Sequence, residues 1–248
     1  MLRIRPVAIP LLVVASLALA ACATGTTEAD SAASPSPSAS PESSPSPSAS
    51  TEPTPSPSSE PWQRVEAPDG ATWTMPSDWT ATDTTSENEV GTVVGMDVQD
   101  ETGATVLSYF HDLGGLGGIG GACSTQHPQE VLAATPSDAG LSSPDGVGFS
   151  DAAYAIEQPA GGVVLTIGVL PDSALDAQPN CLVYNVGSHP DGGMTSFATA
   201  FSSGVPAEGG DQQGTAWSFP TFDDAQAYVD SDEGQTLLLV AASLSLVG

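Results

Sequence analysis

Three cysteines and three histidines carry most of the ligand and nucleophile chemistry in this chain. His111, His127 and His189 each stand alone, without the H-x-x-x-H or H-E-x-x-H spacing that sets two imidazoles on one helix face. No metal ligand is therefore assigned. His127 and His189 both precede proline and lie near Cys123 and Cys181 in the chain, so a bridge between those cysteines would leave room for a weak surface metal site. Gly115-Leu116-Gly117-Gly118-Ile119-Gly120 matches G-x-G-x-x-G, but a phosphate-binding loop needs a helix directly after it. Here Ala122 to Pro128 follow, with a proline and no amphipathic run, so no cofactor is expected. Asp230-Ser231-Asp232-Glu233-Gly234 has closely spaced oxygen ligands without the full calcium-loop template, and helix capping accounts for it more simply. No G-x-S-x-G elbow is present, and no catalytic residue is assigned.

The N-terminus explains more than any of these. Arg3 and Arg5 precede an apolar run from about Val7, which small residues close. That is the layout of a secretory signal, too short to remain as a permanent span. Leu19-Ala20-Ala21-Cys22 resembles the lipobox of bacterial lipoproteins. The resemblance implies a diacylglyceryl thioether on Cys22, with palmitate-type chains, and cleavage just before it. The mature protein would then be held by lipid at the outer, extracytoplasmic face of the cell membrane. The alternative is an ordinary signal peptide with a cysteine near its cleavage site.

Export leaves Cys123 and Cys181 as an even pair in an oxidising compartment. A disulfide between them closes a loop of 58 residues (123 to 181), which contributes about 4 kcal/mol in the chain-entropy account. Two free buried thiols are the other possibility.

Charge narrows the partners. All 30 acidic residues lie beyond Cys22, whereas Arg64 is the one Lys or Arg left after the signal; the whole chain carries −27. Such a surface repels phosphate backbones and anionic headgroups, so nucleic-acid binding is excluded and membrane contact is expected only through the lipid on Cys22. Cohesion must come from apolar burial, and diffuse cation binding is expected around the carboxylates.

From Ala23 to Pro61 there is no Val, Leu, Ile, Met or aromatic residue, and Ser and Pro fill 22 of the 31 positions from Ser31 to Pro61. A stretch with nothing apolar to bury cannot offset the entropy of ordering. It reads as a disordered, semi-extended stalk reaching on the order of 90 Å. Three segments result: a signal peptide over 1–21, a lipid-anchored linker over 22–61, and one domain over 62–248.

Within that domain the turn residues predict hairpins. Strands are expected on either side of Pro76-Ser77-Asp78-Trp79, Asp100-Glu101-Thr102-Gly103 and Pro159-Ala160-Gly161-Gly162, and around Ser188 to Gly193. Gln129 to Ala134 read as one or two helical turns stopped by Pro136. Thr221 and Ser231 predict the caps of two C-terminal helices, with Leu237, Val240, Ala241 and Leu244 on one buried face and a last strand from Leu244. Trp62, Trp73 and Trp79 are expected in the core, with a sugar-stacking face as the alternative. The fold class is α+β: a mainly antiparallel sheet with flanking C-terminal helices.

The segment Phe219 to Glu233, with Leu237 and Ser243-Leu244, resembles the tail of a group of uncharacterised actinobacterial lipoproteins. Those share a Ser/Pro linker, a glycine loop before a cysteine and a second cysteine after a hairpin, as Gly117-Gly118, Cys123 and Cys181 are spaced here. Gly234 departs from their pattern, which has tyrosine there. Thr74-Met75-Pro76-Ser77-Asp78-Trp79 is distantly similar to the Mog1/PsbP-like lipoprotein domain, which implies an antiparallel sheet flanked by helices. Neither group supplies a catalytic residue. The functional expectation is a non-enzymatic binding or structural role in the cell envelope, with an envelope protein or cell-wall component as partner. The competing expectation is a secreted hydrolase or metal-dependent enzyme using His111, His127 or His189.

Overall fold

The computed structural model describes residues 61–89, 91–114, 127–176, 182–204 and 217–246. Cys22, its lipobox, the linker before Pro61, the loop over 115–126, and both Cys123 and Cys181 lie outside the described residues. The domain is α+β and mostly antiparallel sheet, as its turn chemistry predicts. Among the described residues no helix is long and apolar enough to cross a membrane.

The chain opens with a hairpin of β1 (Trp62–Glu66) and β2 (Thr72–Pro76). β3 (Thr80–Asp83) and β4 (Ser86–Asn88) then pair with β5 (Gly91–Gln99), which turns at Asp100 into β6 (Thr105–His111). The turn is tied by the Asp100 carboxylate, which accepts from the backbone N–H groups of Thr102 (2.8 Å) and Ala104 (2.9 Å). Next come β7 (Gln129–Pro136), β8 (Phe149–Glu157), β9 (Val163–Pro171) and a single helical turn, α1 (Asp172–Leu175). β10 (Leu182–Tyr184), β11 (Gly187–Ser188), β12 (Met194–Ala198), β13 (Ser202–Gly204) and β14 (Trp217–Phe219) precede the helices α2 (Phe222–Val229) and α3 (Asp232–Ala242). The main sheet runs β3-β5-β6-β12-β9-β8-β7, with β4, β11 and β14 paired to it at the sides.

Period-two alternation assigns the two faces of this sheet. Leu107 and Tyr109 of β6, Phe197 of β12, and Leu165, Ile167 and Val169 of β9 join one core with Trp73 and Met75 of β2. α3 closes that core with Leu237, Val240 and Ala241, and Leu244 just beyond its end joins them. Both helices start as their sequences predict: Thr221 Oγ1 accepts from the Asp224 N–H at 3.1 Å and Ser231 Oγ from the Gly234 N–H at 3.2 Å. On the other face Ala152, Tyr154, Ile156 and Leu170 pack with Ala174 and Val183. The Tyr154 hydroxyl donates to Asn185 Oδ1 at 3.1 Å, and Asn185 Nδ2 donates to Ser203 Oγ at 2.7 Å. Burial pushes the Tyr154 phenol up to about 12, against the lowering effect of its hydroxyl and amide neighbours.

β9 and β12 approach so closely that a Cβ on Gly168 would lie 2.5 Å from Ala198 Cβ and from the Phe197 carbonyl oxygen. Only glycine fits there.

Three local expectations need correction. Residues 129–136 form strand β7, the sheet edge, rather than helical turns. Antiparallel pairing with β8 outweighs a short local helix preference, and Pro136 is tolerated at the end of an edge strand. After α3 the chain makes an isolated bridge, Ser245 to Thr72, in place of a full strand. Trp73 and Trp79 are buried while Trp62 is exposed, so the three indoles present no common stacking face.

Candidate functional site

Asp69, His111 and His189 converge from three separate segments, each offering one ligand atom within 4.8 Å of the others. The sheet explains why. On β6, Leu107, Tyr109 and His111 alternate onto the core face, and β12 runs beside them with Ser196 opposite Phe110 and Phe197 opposite Tyr109. Thr195, one residue further back along β12, comes to His111, whose Nδ1 lies 2.8 Å from Thr195 Oγ1.

His189 arrives on the turn between β11 and β12. Its N–H donates to the Gly193 carbonyl (3.1 Å) and its own carbonyl accepts from the Gly192 N–H (3.0 Å). Gly192 and Gly193 both have positive φ, +99° and +77°. Gly193 is required on a second count, because a Cβ there would run into the Asp112 carboxylate and the His111 ring. The turn therefore seats the His189 ring against that of His111, with centroids 4.4 Å apart and planes at 45°.

Asp69 sits at the tip of the β1–β2 hairpin, in Pro68-Asp69-Gly70, where Gly70 has φ +90°. The turn closes through Gly70 N–H to Ala67 C=O at 2.9 Å and Ala67 N–H to Ala71 C=O at 2.8 Å. The Tyr109 hydroxyl donates to Asp69 Oδ2 at 2.5 Å and so orients the carboxylate. Burial, then the hydrogen bond and negative charge of Asp69, hold that phenol far above its ordinary value near 10, against an opposing contact with Thr195. Tyr109 is a neutral donor at any physiological pH. Beneath it Trp73 and Phe197 fix the ring, at centroid distances of 5.7 Å and 6.3 Å.

His111 is 8 % exposed and His189 5 %, so both imidazoles have lost most of their water. His189 Nδ1 accepts from the Asp191 N–H at 3.1 Å, while His189 Nε2 is buried with no partner. An orphaned buried polar atom costs about 1–3 kcal/mol. His111 Nε2 has only a long contact, 3.6 Å, to Asp112 Oδ1. Asp112 is the one non-glycine residue with positive φ among the described residues, at +60°. Such strain, of order 1–3 kcal/mol, concentrates at functional positions.

Two imidazoles and one carboxylate form a donor set suited to a divalent transition metal, or to holding and moving a proton through a trapped water. Of the three histidines that the sequence singles out, the structure brings two together. His127 leads into β7, four strands from β6 in the sheet, about 19 Å at the usual strand spacing, and stands apart from the cluster. The β6–β12 neighbourhood joins His111 to His189, whereas the approach of the His127 and His189 loops expected from a Cys123–Cys181 bridge depends on cysteines outside the described residues. Asp69 is the member that sequence reasoning misses. Its only local signal is the Pro-Asp-Gly turn, which marks a hairpin tip and says nothing about what the tip touches. Comparison with protein-family models, curated proteins and solved structures gives no match for this chain.

Proposed function

We propose that this chain is a lipid-anchored protein of the cell envelope, displayed on the outer face of the membrane, and that its domain has a non-enzymatic binding role with the ligand seated at Asp69, His111 and His189. One observation carries the binding role: the buried His189 Nε2 without a partner, inside a cluster whose other polar atoms are held in place by Tyr109 and Thr195. A buried polar atom left without a partner calls for an explanation, and an ion or water in the seat supplies one. The lipobox-like Leu19-Ala20-Ala21-Cys22 and the Ser/Pro linker support the placement, and the acidic surface favours a cationic or neutral ligand. Feeding cells a palmitate analogue tests the anchor. The wild-type chain takes the label into the membrane fraction and Cys22→Ala does not; equal labelling of both overturns the placement.

A second reading is a secreted hydrolase or metal-dependent enzyme acting at the cell wall, favoured by the same pair of imidazoles beside a carboxylate. Replacing His111, His127 and His189 together distinguishes the two. Loss of a hydrolytic activity with the fold retained supports the enzyme.

A further inference from the structure

We infer that the ligand is a single divalent transition-metal ion of the zinc type, held by Asp69 and by the Nε2 atoms of His111 and His189, and that its binding releases the Asp191 amide from His189. This rests on the reading of the cluster as a ligand seat, and it names what sits there.

Donor chemistry selects the metal class. Calcium and magnesium take oxygen ligands, whereas two imidazoles with one carboxylate suit zinc and its neighbours and leave a coordination position open. Each ligand already has an outer partner of the kind that orients metal ligands. Tyr109 donates to Asp69 Oδ2, Thr195 Oγ1 meets His111 Nδ1, and the Asp191 N–H meets His189 Nδ1. With Nδ1 engaged on both rings, Nε2 is the nitrogen left for a metal: His189 Nε2 has no partner, and His111 Nε2 has the long 3.6 Å contact to Asp112 Oδ1.

The outer partners of the two rings differ in a way that matters. A threonine hydroxyl can accept, so His111 can carry its proton on Nδ1 and present a lone pair at Nε2. A backbone N–H can only donate, so a neutral His189 carries its proton on Nε2 and has no lone pair there. To ligate through Nε2, the ring must move that proton to Nδ1. Two N–H groups would then face each other, and the Asp191 amide must turn away. The proton is conserved: it leaves Nε2 and arrives on Nδ1, and no other group changes charge.

Distances bear on a second adjustment, in the spacing of the ligands. Tetrahedral ligands at about 2.0–2.1 Å from zinc lie about 3.4 Å from one another, whereas one ligand atom from each of the three residues lies within 4.8 Å of the others. At the outer limit of that span the ligand atoms close by about 1 Å to reach that geometry. Residues 190–193 of the turn and Pro68 and Gly70 of the hairpin tip are exposed, while His189 itself is buried and Asp69 is tied to Tyr109 of β6.

The test is titration of the purified full chain with zinc, against a chromogenic chelator and in excess calcium and magnesium to occupy the diffuse carboxylate field. The expected result is one zinc per chain at micromolar or lower free metal. Affinity should fall at least about 100-fold in His111→Gln and in His189→Gln, which keep side-chain size and hydrogen bonding. Nuclear magnetic resonance hydrogen exchange supplies the second readout: with zinc the Asp191 amide exchanges faster while most amides slow. No tight site in the wild type, or a site untouched by both variants (an ion held by the thiols or the surface acids), overturns the inference. So does an Asp191 amide that becomes better protected. If either Gln variant unfolds, Tyr109→Phe decides: the affinity should drop about 10-fold through Asp69 alone, and an unchanged affinity sinks the site. Failure of the zinc titration leaves the palmitate result standing, and failure of the labelling leaves the metal site standing.

Discussion

Replacing Tyr109 by Phe removes one oxygen and isolates the bond that joins the aromatic core to the site. The ring itself is fully buried between Trp73 and Phe197, and Phe keeps those contacts. What is lost is the 2.5 Å donation to the Asp69 carboxylate. A hydrogen bond to a charged group contributes about 1.5–3 kcal/mol. Asp69 is only half-buried, so water rehydrates the freed oxygen and the loss falls at the lower end, about 1.5–2 kcal/mol. For a domain of this length that is a fall in Tm of roughly 3–8 °C. Thermal melts followed by circular dichroism give the shift, and urea titration should show a lower midpoint at unchanged slope. Pairing the change with Asp69→Asn in a double-mutant cycle should return a coupling of at least about 1 kcal/mol. The pH dependence has a definite sign. Because the folded phenol is raised well above its unfolded value, its contribution is whole below about pH 10 and is lost as pH rises beyond it. Wild type therefore weakens in alkali more steeply than Tyr109→Phe, and the gap between them narrows above about pH 10. Equal melting temperatures at neutral pH, additive effects in the cycle, or a gap that widens in alkali would refute the assignment of Tyr109 as the Asp69 donor.

Two further perturbations probe the scaffold. Gly168→Ala forces a methyl into the β9–β12 contact, where backbone and Ala198 leave no room, and should destabilise by about 1–3 kcal/mol by overpacking; a chemical-denaturation midpoint equal to wild type would show that the strands can part freely. Asp151→Asn should raise stability at pH 7. The Asp151 carboxyl is raised chiefly by burial and further by Asp138, against the Ser137 hydroxyl, and its Oδ1 has no partner. Its favourable contribution is present in acid and lost as pH climbs through the raised value, so the advantage of the amide should disappear below about pH 4. A variant less stable than wild type at pH 7, or a difference that persists at pH 3, contradicts that reasoning.

The hairpins and helix ends were legible because their causes are local. Asp100 ties its own turn, Gly161 and Gly162 supply positive φ between β8 and β9, and Thr221 and Ser231 cap the helices that follow them. The misreading of residues 129–134 marks where local reasoning stops. Gln129 to Ala134 hold no residue that forbids either a helix or an edge strand, and the partner strand β8 settles the matter from 18 to 27 residues away in sequence.

Composition belongs to the sequence alone: the apolar run ending in Leu-Ala-Ala-Cys, the Ser/Pro-rich stretch without large apolar residues and the net charge of −27 are read directly from it, and the proposed placement rests on them. The cluster is a different kind of fact. His111, His189 and Asp69 carry no shared spacing, and they meet only because β12 inserts beside β6 and the β1–β2 hairpin packs its tip against Tyr109. Strand order is decided by which faces bury the most apolar surface together, an energy summed over the whole domain, and no window of sequence contains it.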